Sequence, residues 1–321
     1  MNHFLLRTAC AITLCAATTL AQGQAWPAKT IRIIVPYPAG GGTDIIARVT
    51  AEKLQAALGQ AVVVENRAGA NGIIGTEAVA RAAPDGHTLA IVTGTHVINS
   101  YVTKKVPYDP IKDFIAVSIL ASSPMVFVAG NDQPFKNVRE LIAYAKANPT
   151  KVSVGNTEAV TLLSGEMFKL LAKVEMTQVA YKGGGLLMID VIGGHIPLGV
   201  TSTLTALVHH KAGKLRVLGA GSKTRTASMP DVPTVIEGGL PGYEATSWYA
   251  LLAPAHTPKE ITTRLAREVA KIMGDAAVKE RIIGLGGDAL GIGNEEATAF
   301  VLAERDKWAR VVRDAGVQPS D

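Results

Sequence analysis

Cysteine is almost absent from this 321-residue sequence, which contains only Cys10 and Cys15. Both lie in an N-terminal segment laid out like a secretory signal peptide: Arg7 is followed by an apolar run and then by small residues that end at Ala25. Cleavage after Ala25 would leave a mature chain without cysteine, which excludes disulfides, thiolate catalysis and cysteine metal ligands. We therefore expect an exported protein from which residues 1–25 are removed.

Long apolar runs and a strong charge are also missing. After residue 25, no stretch reaches the roughly 20 apolar residues that a membrane-spanning helix needs. The formal net charge is only +5, and aromatic residues make up 5% of the chain. Such a composition does not indicate a nucleic-acid partner, and it attracts small anions only weakly.

The sequence has no recognisable catalytic constellation. It contains neither a Gly-x-Ser-x-Gly nucleophile motif nor a His-Glu-x-x-His zinc motif. The pair His209-His210 is unsuited to binding one metal ion, because adjacent residues on a helix point about 100° apart. We therefore predict no catalytic residues, no metal site and no cofactor.

The chain does contain strand-like segments that alternate with helical ones, a pattern typical of α/β proteins with parallel sheets. Strands are predicted at 31–35, 62–65, 88–93, 115–120, 125–128, 152–154, 178–180, 196–200, 216–220 and 248–253. Helices are predicted at 43–58, 72–82, 138–147, 161–171 and 258–273, and an apolar stripe through Trp308 predicts a last helix that stops at Gly316. The length favours two domains.

Three consecutive glycines, Gly40, Gly41 and Gly42, join the first strand to the first helix in IVPYPAGGGTDIIARV (34–49). One glycine would suffice for a turn, so the triplet indicates a ligand that approaches the backbone closely. A dinucleotide fingerprint is not met, because Ile45 stands where its third glycine belongs. A similar turn, VAYKGGG (179–185), follows a later strand. Ligands of open α/β sheets bind beyond the carboxyl ends of strands, so two such turns facing each other would form a ligand cleft.

These turns belong to a series of motifs that resembles one family along the whole mature chain. The motifs are, in order, WPAKTIRIIVPYPAGGGTDIIAR, VVVENRAGANGIIGTEAVARAAPDGHTLAIV, YDPIKDFIAVSILA, YKGGG, GKLRVLGAGSKTR, PDVPTVIEGGLPGYEATSWYALLAPAHTP and KWARVVRDAGV. They resemble the Bug family, the extracytoplasmic substrate-binding receptors of tripartite tricarboxylate transporters.

The resemblance implies an α/β fold of the periplasmic binding protein type II-like class, in which two lobes close on a ligand as a Venus flytrap does. Lobe 1 would comprise residues 26–125 and 246–321, and lobe 2 residues 126–245. The function implied is that of a periplasmic receptor, not an enzyme, that captures a small organic acid or related metabolite as a monomer. Its partners would be membrane permease subunits or a sensor kinase. The alternatives are a ligand sensor without a transporter and an exported enzyme that uses the same cleft.

The resemblance also assigns the ligand-binding residues by position. A loop that grips a carboxylate through backbone amides and ordered water would comprise Tyr37, Pro38, Ala39, Gly40, Gly41, Gly42, Thr43 and Asp44. The other predicted site residues are Asn71, Thr93, Thr95, Gly155, Asn156, Thr157, Lys182 and Thr201, with Trp248 and Tyr249 near the return crossing.

Several charged residues keep two interpretations at this stage. Asp44 either contacts the ligand or caps its own helix. Lys182 faces either the cleft or water, and Arg67 is either a counterion for the ligand or the partner of Glu65. Glu158-Ala159 stands where family members commonly have a Gly-Ser pair. If Glu158 faces the cleft, it would repel a second ligand carboxylate and favour an amine, amide or hydroxyl, whereas facing water it would have no such effect.

Overall fold

The computed structural model describes residues 26–149 and 151–319, so the predicted signal peptide lies outside the described residues. The strands are β1 (Ile31–Val35), β2 (Val62–Asn66), β3 (Thr88–Val92), β4 (Phe114–Ala129), β5 (Ser153–Asn156), β6 (Thr177–Ala180), β7 (Leu198–Ser202), β8 (Arg216–Ala220), β9 (Thr246–Pro254) and β10 (Asp288–Ile292). The α-helices are α1 (Gly42–Leu58), α2 (Ile73–Ala80), α3 (Thr95–Val102), α4 (Val138–Ala147), α5 (Ala159–Ala172), α6 (Gly184–Ile192), α7 (Thr203–Lys211), α8 (Lys259–Gly274), α9 (Ala276–Leu285) and α10 (Asn294–Asp314). None of the helices in these described ranges has the length and apolarity that a membrane crossing requires.

The strands form one mixed sheet in the order β2-β1-β3-β9-β4-β7-β5-β6, and β8 and β10 also pair with β4. β1 is parallel to β2 and β3, and β5 is parallel to β6 and β7. The predicted parallel pairing is therefore confirmed in both outer parts of the sheet. The centre is different, because β9 runs antiparallel to β3 and β4.

The two strands predicted at 115–120 and 125–128 are one continuous strand, β4, of 16 residues. Ser123 and Pro124 have the composition of a turn, but in the structure they stay extended and pair with Ser247 and Thr246 of β9. Beyond Pro124, β4 pairs with β7 and β8 instead of β9. One strand therefore belongs to both lobes.

A second extended segment crosses beside β4. Met125 N–H donates to Ala245 O (2.9 Å), and Gly221 N–H donates to Met125 O (2.7 Å). Ala245 N–H in turn donates to Gly221 O (2.9 Å). These bonds join the two crossing segments at residues 125 and 245, and the use of these positions as lobe boundaries stays a prediction.

Apolar side chains cover both faces of the sheet. In β1, Ile31, Ile33 and Val35 pack into one apolar cluster and Ile34 into another on the opposite face, as the alternation of a strand requires. In α10, Trp308 is fully buried, so the prediction of a packing stripe in the last helix is confirmed. β10 was not predicted. It is half-exposed, and its pairing with β4 shifts register between Ala289 and Ile292.

Candidate functional site

A cavity of about 410 Å³ lies where the two glycine turns meet. The residues of its wall that fall in the predicted lobe 1 are Tyr37, Pro38, Ala39, Gly41, Gly42, Thr43 and Tyr249. Those that fall in the predicted lobe 2 are Thr157, Glu158, Thr161, Lys182, Gly183, Gly184, Gly185, Leu186, Ile189, Thr201, Ser202 and Thr205. The two groups therefore form one cleft at the carboxyl ends of β1, β6 and β7, where an open α/β sheet binds its ligands.

The first glycine turn leads from β1 into α1, with Gly41 at the N-cap position. Gly40 has φ +82°, a backbone conformation that favours glycine. Gly42 is needed for close packing, because a Cβ there would lie 2.6 Å from Tyr249 Oη and 3.2 Å from Ser202 Oγ. The first backbone N–H groups of α1 are thus brought against the cavity and against lobe 2.

Asp44 lies behind this turn and fixes its shape. The carboxylate accepts hydrogen bonds from Gly40 N–H (3.0 Å), Arg48 Nε (2.9 Å) and Asn66 Nδ2 (3.1 Å). Asn66 Nδ2 also donates to Tyr37 O (3.1 Å), at the other end of the loop. Burial raises the pKa of Asp44, but the hydrogen bonds from Arg48, Gly40 and Asn66 outweigh it and leave the pKa below its usual value. The charged carboxylate thus holds the loop from outside the cavity wall.

The second glycine turn leads from β6 into α6 and faces the first. A Cβ placed on Gly183 would lie 3.5 Å from Pro38 Cγ of lobe 1, so the two turns almost touch. Lys182 precedes this turn and lines the cavity, and its side chain is exposed. Arg67 is not among the lining residues. It pairs with Glu65 (Nε–Oε1 2.6 Å), which is the second of the two roles that the sequence left open for it.

Four helices begin at or directly after lining residues. α1 and α6 begin at Gly42 and Gly184, while α5 and α7 begin one residue after Glu158 and Ser202. The first N–H groups of a helix have no partner inside the helix and carry the positive end of its dipole. Four such ends around one cavity favour a bound anion without an arginine.

Two tyrosines lie in the wall, and Tyr249 is the one whose phenol can donate to a ligand, because the Tyr37 phenol donates to Thr93 Oγ1. Burial raises the pKa of Tyr249 to about 12. Burial, together with the nearby Glu158, raises the pKa of Tyr37 well above its usual value. Both phenols therefore stay protonated at neutral pH. Tyr37 Oη also lies 3.0 Å from Thr93 Oγ1, which connects the cavity wall to the end of β3.

Glu158 lines the cavity and is held by lobe 1. Its Oε2 accepts hydrogen bonds from Thr93 Oγ1 and Thr95 Oγ1, both at 2.8 Å. Burial raises the pKa of Glu158, and the two threonine hydroxyls oppose that shift only in part. Thr93 and Thr95 are themselves 1% and 0% exposed. These predicted ligand contacts therefore lie behind Glu158, which stands between them and the cavity.

The other predicted site residues lie near the cavity but not on its wall. Asn71 and Asn156 line a smaller cavity of about 200 Å³, which shares Thr157 and Glu158 with the main one. Gly155 is buried in β5, and Gly40 is exposed on the outer side of its loop. Trp248 is buried and donates through Nε1 to Glu304 Oε2 (3.0 Å). Of the two residues near the return crossing, Tyr249 lines the cavity.

Several wall residues were not predicted from the sequence. They are Thr161, Gly183, Gly184, Gly185, Leu186, Ile189, Ser202 and Thr205. The glycines at the start of α6 could have been predicted from the YKGGG turn (181–185), because its sequence is similar to that of the first glycine turn. Ser202 ends β7 and Thr205 lies in the first turn of α7, so both are at the carboxyl end of a strand, where ligands of an open α/β sheet bind.

Within residues 26–149 and 151–319, no group of three or more His, Cys, Asp or Glu side chains is placed to hold a metal ion. His209 and His210 lie in the last turn of α7, outside the wall of the main cavity.

The family model described as the tripartite tricarboxylate transporter family receptor matches residues 46–317. Protein BugT from Bordetella pertussis is 34% identical over 301 residues, which cover 92% of each chain. Among solved structures, R. palustris Rpa4515 with adipate superposes with a TM-score of 0.89 at 33% identity and covers 92% of this chain and 100% of its own. MatC from Rhodopseudomonas palustris with bound malate has a TM-score of 0.84 at 30% identity and covers 89% of this chain and 100% of its own. This chain therefore belongs to the tripartite tricarboxylate transporter receptor family.

Proposed function

We propose that this chain is a periplasmic receptor that captures a small carboxylate between its two lobes and releases it unchanged to a membrane transporter. The observation that carries the proposal is the cavity onto which four helix N-termini converge. The predicted signal peptide supports export, and membership of a transporter receptor family supports a role in uptake.

The size and chemistry of the cavity support a small organic acid. A volume of about 410 Å³ lies at the lower end of the range typical of small-molecule sites. Helix N–H groups, the Tyr249 phenol and several hydroxyls can each donate to carboxylate oxygens, so the affinity would be the sum of many modest hydrogen bonds. Relatives of similar structure hold adipate and malate, which supports the same ligand class here.

The two crossing segments support a receptor that opens and closes. Lobe 1 (26–125 and 246–321) and lobe 2 (126–245) would rotate about residues 125 and 245, where the chain passes between them. The ligand stabilises the closed form because it contacts both glycine turns only when they meet. Partner permease subunits would recognise this closed form.

A thermal-shift screen of residues 26–321 tests the proposal. We expect mono- or dicarboxylates of four to six carbons to raise the melting temperature by about 5 °C at 100 times Kd, where binding adds about 2.7 kcal/mol. The control compounds are the corresponding diols and diamides, which keep the chain length but lack the carboxylate. Mass spectrometry of the released ligand should return the compound that was added.

Two outcomes contradict the proposal. Equal stabilisation by an acid and its diol would remove the carboxylate as the recognised group. Conversion of the bound acid into another compound would make the protein an enzyme.

A further inference from the structure

The wall of the cavity carries two charged side chains of opposite sign, Glu158 and Lys182. All four helix N-termini and Lys182 favour an anion, and the carboxylate of Glu158 opposes it. Besides capping α5 and joining the lobes through Thr93 and Thr95, this carboxylate disfavours a second ligand carboxylate in the cavity. The position of Glu158 in the wall therefore bears on which acids the site accepts.

Glu158 is held in this position by both lobes. Thr95 Oγ1 accepts from Val160 N–H (3.3 Å), so its hydroxyl proton is available for Glu158 Oε2. Thr93 Oγ1 likewise accepts from Thr95 N–H (3.3 Å) and donates to the same oxygen. These bonds hold Oε2 by two hydroxyls from lobe 1, while the backbone of Glu158 is fixed at the start of α5 in lobe 2.

The carboxylate keeps capacity for a further hydrogen bond. An ionised carboxylate accepts about four hydrogen bonds. The two threonine hydroxyls supply two of them, both to Oε2, and the backbone N–H of Thr161 supplies a third through the capping box of α5. Closing the lobes removes water from this group, which is costly unless a donor takes the place of that water. A ligand that brings an N–H or O–H group to Glu158 removes this cost, whereas a second carboxylate adds to it.

We propose that Glu158 selects ligands that carry one carboxylate and, at the other end, a hydrogen-bond donor such as an ammonium, amide or hydroxyl group. This inference rests on the proposed carboxylate-binding function and names the ligand class of the same site. The carboxylate binds at the helix N-termini of the glycine turns, and the donor binds at Glu158. Two carboxylates about 5 Å apart in partly dry surroundings repel enough to change Kd on the order of 100-fold.

Matched ligand series test this selection by isothermal titration calorimetry at pH 7.5. One series is succinate, succinamate and 4-aminobutyrate, and the other is adipate, adipamate and 6-aminohexanoate. Within a series we expect the wild type to bind the amide or amine at least ~10-fold more tightly than the diacid. Glu158→Gln removes the charge and keeps the size of the side chain, so the diacid should then bind within about 3-fold of the amide.

The control variant is Glu175→Gln, which removes an exposed glutamate of lobe 2 outside the cavity wall and should keep the wild-type ranking. The selection is overturned if the diacid is the tightest ligand of the wild type, or if Glu158→Gln leaves the ranking unchanged. The wild-type ranking decides alone if Glu158→Gln does not fold. A tight diacid leaves the carboxylate receptor standing, whereas no binding by any member of either series overturns the receptor and the selection together.

Discussion

Asp44 holds the first glycine turn in its conformation through side-chain hydrogen bonds. It accepts hydrogen bonds from Gly40, Arg48 and Asn66 and is 4% exposed. We expect Asp44→Ala to lower the free energy of unfolding by about 2 kcal/mol, because the loop loses three hydrogen bonds to one buried, charged acceptor. Carboxylate affinity should fall as well, since the loop that presents its N–H groups loses its anchor. Urea unfolding and calorimetry measure the two effects.

The control for Asp44→Ala is Glu77→Ala, which breaks another i,i+4 ion pair, with Arg81. Arg81 is largely exposed, so breaking the ion pair should lower the free energy of unfolding by about 0.5 kcal/mol or less. Equal losses of stability in the two variants would show that Asp44 is only a surface charge.

The burial of Glu158 predicts that the stability of the protein depends on pH. Burial raises the pKa of Glu158 above its usual 4.5, so the folded state binds a proton more tightly than the unfolded state does. The resulting stabilisation is present below pH 4.5 and is lost as the pH rises through the folded-state pKa. The melting temperature of Glu158→Gln minus that of the wild type should therefore increase from pH 4.5 to pH 7.5.

Two other groups of the wall do not interfere with this measurement. The pKa of Tyr249 is raised to about 12 by burial, and that of Tyr37 is also raised, so neither phenol titrates in the window. Differential scanning calorimetry of Glu158→Gln and Glu175→Gln against the wild type provides the comparison. A difference that stays constant with pH for Glu158→Gln would mean that its carboxylate is not desolvated.

At the scale of elements, the sequence predicted well wherever a local chemical signal marks a boundary. Asparagine is a favoured N-cap residue, and the side chain of Asn137 accepts from Glu140 N–H at the start of α4, a helix predicted with the same bounds. β4 was predicted as two strands, because the serines and the proline before Met125 resemble a turn and only tertiary pairing with β9 keeps them extended. β10 has no alternation of apolar and polar residues that would predict a strand. Its hydrogen bonds to β4, a tertiary contact, hold it in the extended conformation.

The candidate site shows the same division between local and tertiary information. Both glycine turns were found, because their composition is local, and the structure brings them together on one cavity. Thr93 and Thr95 were assigned to the correct end of β3, but Glu158 occupies the space in front of them. That contact joins residues more than 60 positions apart, so no local pattern could reveal it.

At the scale of the whole molecule, Gly42 is a point of close approach between the two lobes. A Cβ there would lie 2.6 Å from Tyr249 Oη in lobe 1, and 3.2 Å from Ser202 Oγ and 3.3 Å from Leu204 Cβ in lobe 2. We expect Gly42→Ala to hinder closure, because overpacking of this kind costs about 1–3 kcal/mol. If most of that cost falls on the closed form, carboxylate affinity drops by about 10-fold or more.

Gly41→Ala is the matched control, because a Cβ there makes only an ordinary contact of 3.7 Å with Pro38 O. Small-angle X-ray scattering with and without a saturating carboxylate compares closure in the two variants. The wild type and Gly41→Ala should become more compact on binding, whereas Gly42→Ala should stay more open at the same ligand concentration. If Gly42→Ala closes fully and binds as tightly as Gly41→Ala, then Tyr249 and Ser202 move aside freely, and the close approach at Gly42 does not control how the lobes meet.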